Sequence, residues 1–248
     1  MLNIHSTIRL TLTLFVAASL IGCASMNGGR GSDWQPPIAV SDVQVSQDSQ
    51  QLCEYHDRVF PSMSSTTALA QKLDAASESV QWPLSQEDGP ATFREFDVAA
   101  YEDEEAAVFA TATGCLRLSS ALLESLSETE LAALLEQQFA HLAKGHAEVR
   151  LRHLLQMQGL ERLVTDENGE TYLAEESAEE LVDILKTTNY THRQIRAADR
   201  YAYERAVQRN ADPMDLATAL KQWPVDPGNG RRIERIRQHH HLTTTTRG

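Results

Sequence analysis

The chain has 248 residues, 42% of them hydrophobic and 23% charged, with 35 acidic residues against 22 basic ones. That length sustains one or two domains with a sizeable core, and the composition excludes collagen-like, fully disordered and polytopic membrane classes. A formal charge of −13 argues against nucleic acid and against any phosphate-binding surface, since the totals show no clustered basic footprint.

Arg9 precedes an apolar stretch, Leu10 to Ile21, that is too short to cross a bilayer but suits the core of a signal peptide. The stretch ends in Leu20-Ile21-Gly22-Cys23, which resembles a bacterial lipobox; the plainer alternative is an ordinary signal peptide and a chance cysteine. The resemblance implies cleavage before Cys23 and lipid on its thiol, palmitate included. Ala24, and not Asp, follows, which in Gram-negative lipoproteins directs the chain to the outer membrane, its domain facing the periplasm. Each buried methylene contributes about 0.8 kcal/mol, so two or three acyl chains make a durable anchor.

Residues 1–22 are therefore read as a lipoprotein signal peptide and 23–50 as anchor and flexible tether. The tether carries Gly28-Gly29-Arg30-Gly31-Ser32, Pro36-Pro37 and a Ser/Asp/Gln-rich run that buries little apolar surface. Cys53 and Cys115 are either a disulfide in an oxidising periplasm or two buried thiols; sequence does not supply the Cα separation that decides.

The spacing predicts a domain over 51–242 and a tail over 243–248. Ala68, Leu69, Leu73, Ala76 and Val80 recur at helical intervals over 64–80. Thr92–Tyr101 reads as a strand, and Ala107–Leu118 as a second one with a turn or bulge at Gly114. Ser127 and Glu130 form a capping box that launches the longest helix, Glu128 to Met157. Val164–Glu170 is turn-like, and helices follow over Ala178–Lys186 and His192–Arg209. Asn210 ends the second of these, Asp212-Pro213 opens a short helix, and a loop through Pro224, Pro227, Gly228 and Gly230 leads to a last helix near Arg231. The sum is one α+β domain, mainly helical with a small sheet.

Val108-Phe109-Ala110-Thr111, Gly114 and Glu130-Leu131-Ala132-Ala133-Leu134-Leu135 resemble the zinc metallopeptidase family M-forty-eight, that of the CAAX prenyl proteases and heat-shock membrane proteases. Ala198-Asp199-Arg200, Asn210-Ala211-Asp212-Pro213 and Asp226-Pro227 to Arg232-Ile233 follow in the family's order. The resemblance implies a zincin-like fold. In that family His-Glu-x-x-His on one helix turns both imidazoles to one zinc, and the Glu acts on the bound water.

Here the register reads Gln137-Gln138-Phe139-Ala140-His141, so one ligand and the general base are glutamines and only His141 is retained. The third ligand position is Ile195, and the family's downstream histidine is Asp226. A catalytic zinc takes three protein ligands, and an amide takes no proton at neutral pH. No catalytic residue, metal ligand or cofactor is expected, zinc returning only if ligands elsewhere supply it. Asp199 is left with Gln137 or His141 as hydrogen-bond partner and Arg196 or Arg200 to offset its charge. On one continuous helix His141 and His146 lie about 140° apart and face different ways. His56 and His192 are unplaced, and His239-His240-His241 reads as a solvated helix end or a weak metal cluster.

Three functions compete. The first is a catalytically degenerate, metallopeptidase-like lipoprotein that binds an envelope protein or peptide without cutting it, with the old cleft either open to an added strand or filled by a polar network. The second is an active zinc metalloendopeptidase of envelope quality control using unidentified ligands. The third is a structural lipoprotein that meets its partner through its acidic surface.

Overall fold

The computed structural model describes residues 39–80, 90–158, 163–165, 167, 169, 171–187, 190–223 and 228–245. The expected signal peptide over 1–22, Cys23, Pro36-Pro37 and Pro224 to Pro227 lie outside the described residues.

Helix α1 (Asp42–Val59) corrects the tether boundary at residue 50. The Ser41 hydroxyl accepts from Gln44 N at 3.1 Å, and Val45, Ser49, Leu52 and His56 form a buried stripe one helical turn apart. The polar composition around that thin stripe disguised it. Helix α2 (Ala68–Val80) buries Leu73, Ala76 and Val80 of the predicted face, with Ala70 in place of the exposed Ala68 and Leu69 half-buried.

Strands β1 (Asp97–Tyr101), β2 (Val108–Ala110) and β3 (Cys115–Ser119) form a sheet in the order β1-β3-β2. The β1–β3 pair is parallel and the β2–β3 pair antiparallel, so the predicted second strand is two strands turned at Gly114. Gly114 has φ +110°, and a Cβ there would overlap the Glu95 carbonyl. Arg117 is buried on β3 and reaches Asp57 on α1 and Asp97 on β1, both at 2.7 Å. Beside it Cys53 and Cys115 are joined in a disulfide, their Cα atoms 6.2 Å apart across a sequence separation of 62. Closing a loop of that size contributes about 4 kcal/mol in the chain-entropy account.

Helix α3 (Ser120–Ser125) leads into α4 (Glu128–Ala143), whose capping box forms in both directions between Ser127 and Glu130. Every side chain of α4 from Glu130 to Leu142 is buried, against α2, α7 (His192–Gln208) and α8 (Asp215–Gln222). The predicted helix to Met157 breaks here: Gly145 takes φ +68° and α5 (His146–Gln158) starts afresh. A hairpin, β4 (Leu163–Thr165) and β5 (Thr171–Leu173), flanks the predicted turn. Then come α6 (Glu175–Thr187), α7 with a Thr191–Gln194 capping box, and Asn210 at φ +57°. Helix α8 starts two residues beyond Pro213, and α9 (Asn229–Thr245) absorbs the start of the expected tail. The architecture is α+β, mainly helical with small sheets, as expected of a zincin-like domain.

Helices α7 and α9 pack together and carry Arg193, Arg196, Arg200, Arg231 and Arg235, all but the half-buried Arg235 exposed. The chain therefore has a clustered basic face, which the pooled charge had concealed.

His56 is fully buried among Phe60, Tyr101 and Phe109, with ring centroids 4.6–4.7 Å away. Burial lowers its pKa to about 4, against the pull of Asp57, whose nearest oxygen is 3.5 Å away; Arg117 and Lys186 add to the lowering. Between pH 6.5 and 4 the unfolded chain takes up the proton first, so stability present above pH 6.5 is lost as pH falls. Asp48, raised by burial to about 6, acts oppositely, losing stability as pH rises from 3.8 to 6. Urea unfolding at pH 7.5 and pH 4 should shift the wild type against His56→Leu by roughly 3 kcal/mol. An unchanged difference would contradict the burial of a neutral imidazole.

Candidate functional site

Residues four apart on α4 place Gln137 and His141 on one face, 2% and 0% exposed. Gln138 Nε2 donates to Gln137 Oε1 at 2.6 Å, and Gln137 Nε2 lies 2.9 Å from His141 Nε2. An amide nitrogen can only donate, so His141 Nε2 is the bare nitrogen and its proton is on Nδ1. That Nδ1 lies 3.0 Å from His146 Nδ1, which accepts. The wheel estimate that separated these histidines fails because the left-handed Gly145 ends one helix and turns the next back on it.

Burial holds His141 well below the usual imidazole range, helped by His146, Arg150 and Arg232. His146 is pushed down to about 4, by burial first and by Lys144 second. The chain of four side chains is thus neutral at pH 7 and hydrogen-bonded in one direction.

Tyr190, just before the α7 cap, stacks on His141 with centroids 3.7 Å apart and planes at 12°. The Arg150 guanidinium lies 4.3 Å from the Tyr190 ring centroid. Ile195 is 7% exposed on α7 and faces the same cavity. One turn on, Asp199 pairs with Arg232 of α9, through Oδ1–Nη2 at 2.8 Å and Oδ2–Nε at 3.3 Å. This corrects its expected partners: Arg196 and Arg200 are exposed, and the pairing cation comes from 33 residues downstream.

The cavity left between these groups measures about 40 Å³, against several hundred for an ordinary ligand site. Its charged lining residues are Arg150, Lys186 and Arg232, and no carboxylate lines it among the described residues. Lys186 is paired with Asp103 at 2.8 Å. Zinc does not fit this set: the bare imidazole nitrogen faces an amide, the amide oxygen already accepts from Gln138, and Ile195 offers only hydrocarbon.

The neighbouring sheet edge is occupied as well. Ala107 and Thr111 bond toward β3, so Ala106 and Ala110 point outward along β2. Those two carbonyls accept from Trp223 Nε1 and Arg150 Nη2, each at 3.1 Å. An incoming peptide strand would have to displace both.

The other sequence candidates lie elsewhere. His56 and His192 do not line the cavity. His239 and His240 are half-buried against Tyr203, with His240 Nδ1 3.1 Å from its hydroxyl, so the cluster is less solvated than expected. Cys53, Cys115 and Asp97 bring ligand atoms within 4.8 Å of one another, yet the two sulfurs are bonded together and Arg117 Nη2 lies 3.3 Å from one of them. Sequence reasoning missed Tyr190, Arg150 and Trp223, which carry no periodic or motif signal. Asp226 lies outside the described residues.

No protein-family model matches the chain. It is similar to Metalloprotease LoiP of Escherichia coli (strain K12), 23% identical over 218 residues that cover 86% of this chain and 84% of that protein. The chain is metallopeptidase-like over most of its length.

Removing Asp199 alone leaves the buried Arg232 guanidinium without its carboxylate. Asp199→Leu should cost about 3–5 kcal/mol in urea unfolding at pH 7, and Asp199→Leu/Arg232→Met should recover most of it. Equal losses in both variants would assign the cost to packing and not to the charge pair.

Proposed function

We propose that this chain is a catalytically degenerate, metallopeptidase-like lipoprotein, anchored by lipid on Cys23 in the outer membrane with its domain facing the periplasm. It binds or regulates an envelope partner without hydrolysis. One observation carries the reading: His141, the single retained ligand position, has both ring nitrogens engaged by Gln137 and His146 in a cavity whose charged lining, among the described residues, is cationic. No described group there serves as general base, because Gln138 is an amide and His141 and His146 have depressed basicity. The partner meets the outer surface and not the cleft, since the cavity is small and the Ala106 and Ala110 carbonyls are engaged.

A second reading, an active zinc metalloendopeptidase, is favoured by the similarity to Metalloprotease LoiP at 23% identity. One experiment separates the two. The chain from residue 23, carrying Cys23→Ser and no histidine tag, is equilibrated with zinc, desalted and assayed for metal and for cleavage of unfolded casein. The proposal expects far less than one zinc per chain and no chelator-sensitive cleavage. One tightly held zinc, with cleavage lost in His141→Ala, would establish the second reading.

A further inference from the structure

The acidic total conceals a local reversal of sign. On α7, Arg193, Arg196 and Arg200 stand at i, i+3 and i+7, one helix face; on α9, Arg231 and Arg235 stand one turn apart. The two helices pack side by side, which merges the rows into one face. Arg196 and Arg200 form a ridge shared by two hollows. One hollow, about 280 Å³, adds Arg235 and His239 beside the buried Tyr203 and Ile236 and the exposed Leu242. The other, about 420 Å³, adds Lys144 and Arg193 beside Tyr201.

The acids within reach are few. Asp199 is already neutralised by Arg232, Glu204 lines the second hollow, and Glu234 lies between Arg231 and Arg235 on α9, where it accepts from Gln238. Ion pairs around these helices run through Arg205, Arg209 and Arg232. Among the described residues none involves Arg193, Arg196, Arg200, Arg231 or Arg235. In a chain with 35 acids and 22 bases, partners for five arginines are in surplus. Like charges at helical spacing repel one another, so an unpaired cluster is destabilised until an external anion meets it.

We propose that the α7–α9 face binds the phosphate headgroups of an anionic lipid surface. Guanidinium matches phosphate with paired N–H donors, and the face offers five. Leu242 is 63% exposed beside Arg235 and His239, placing an apolar side chain at the depth of a headgroup layer. The face is built from helix sides and has no free strand edge, so it lacks the backbone partners by which an extended acidic peptide is captured. Acidic groups elsewhere do not cancel it, because charges beyond a Debye length of about 8 Å are screened at physiological salt. The acidic remainder instead orients the domain with this face toward the anions.

The test needs no acyl chain and so stands apart from the fate of Cys23 and of the zinc position. The chain from residue 23 carrying Cys23→Ser is sedimented with phosphatidylcholine vesicles, with and without phosphatidylglycerol, at low and high salt. It should bind the phosphatidylglycerol vesicles at low salt and not the neutral ones. Arg196→Gln/Arg200→Gln should bind about 30-fold more weakly, with a melting temperature no lower than that of the wild type, while Arg58→Gln on α1 binds as the wild type does. No binding to phosphatidylglycerol vesicles, or binding untouched by the double substitution, would overturn the proposal. So would retention on poly-glutamate by a chain that ignores the vesicles, which assigns the face to an acidic polypeptide.

Discussion

A neutral imidazole has one nitrogen that donates and one that accepts, and a zinc ligand must keep the accepting one free. In His141 that nitrogen receives the Gln137 amide, while the donating one is held by His146. The arrangement uses the amide at 137 as the donor to that nitrogen. It needs an amide at 138 too, because Gln137 can turn its nitrogen to His141 only if its oxygen finds a donor. The two glutamines therefore support one another chemically.

The fold holds this network by burial and by a break. Helix α4 is enclosed along its length, so an unpaired polar group there would cost about 1–3 kcal/mol. Each amide and imidazole is instead satisfied by a neighbour on the same or the next helix. The break at Gly145 brings His146 back onto His141. Tyr190 and Ile195 then close the space from α7 and its entry, and the Asp199–Arg232 pair ties α7 to α9 behind it. Outside, the same two helices present arginines to solvent. Burial of one face and charge on the other follow from a single helical period.

Local signals were legible in the sequence. The Ser127–Glu130 box, the α2 stripe, the Gly114 turn and the left-handed Asn210 each depend on residues within one or two turns of one another. The start of α1 was hidden because its buried stripe includes Asp48, Ser49 and His56, which composition counts as polar. The α4–α5 break rests on one glycine in an otherwise helical pattern, and missing it misplaced His146. At the candidate site the positions of Gln137, Gln138, His141, Ile195 and Asp199 could be read from spacing. Their partners could not, because Tyr190, Arg150 and Arg232 arrive from other helices and only the packed fold brings them together.

The account stands on the proton and the bare nitrogen of His141. Nitrogen-15 imidazole spectra at pH 7, assigned through a His141→Gln variant, read both directly. The account predicts one protonated and one bare nitrogen for His141, unchanged when equimolar zinc is added. A shift of the bare nitrogen on adding zinc, or two protonated nitrogens at pH 7, would contradict it.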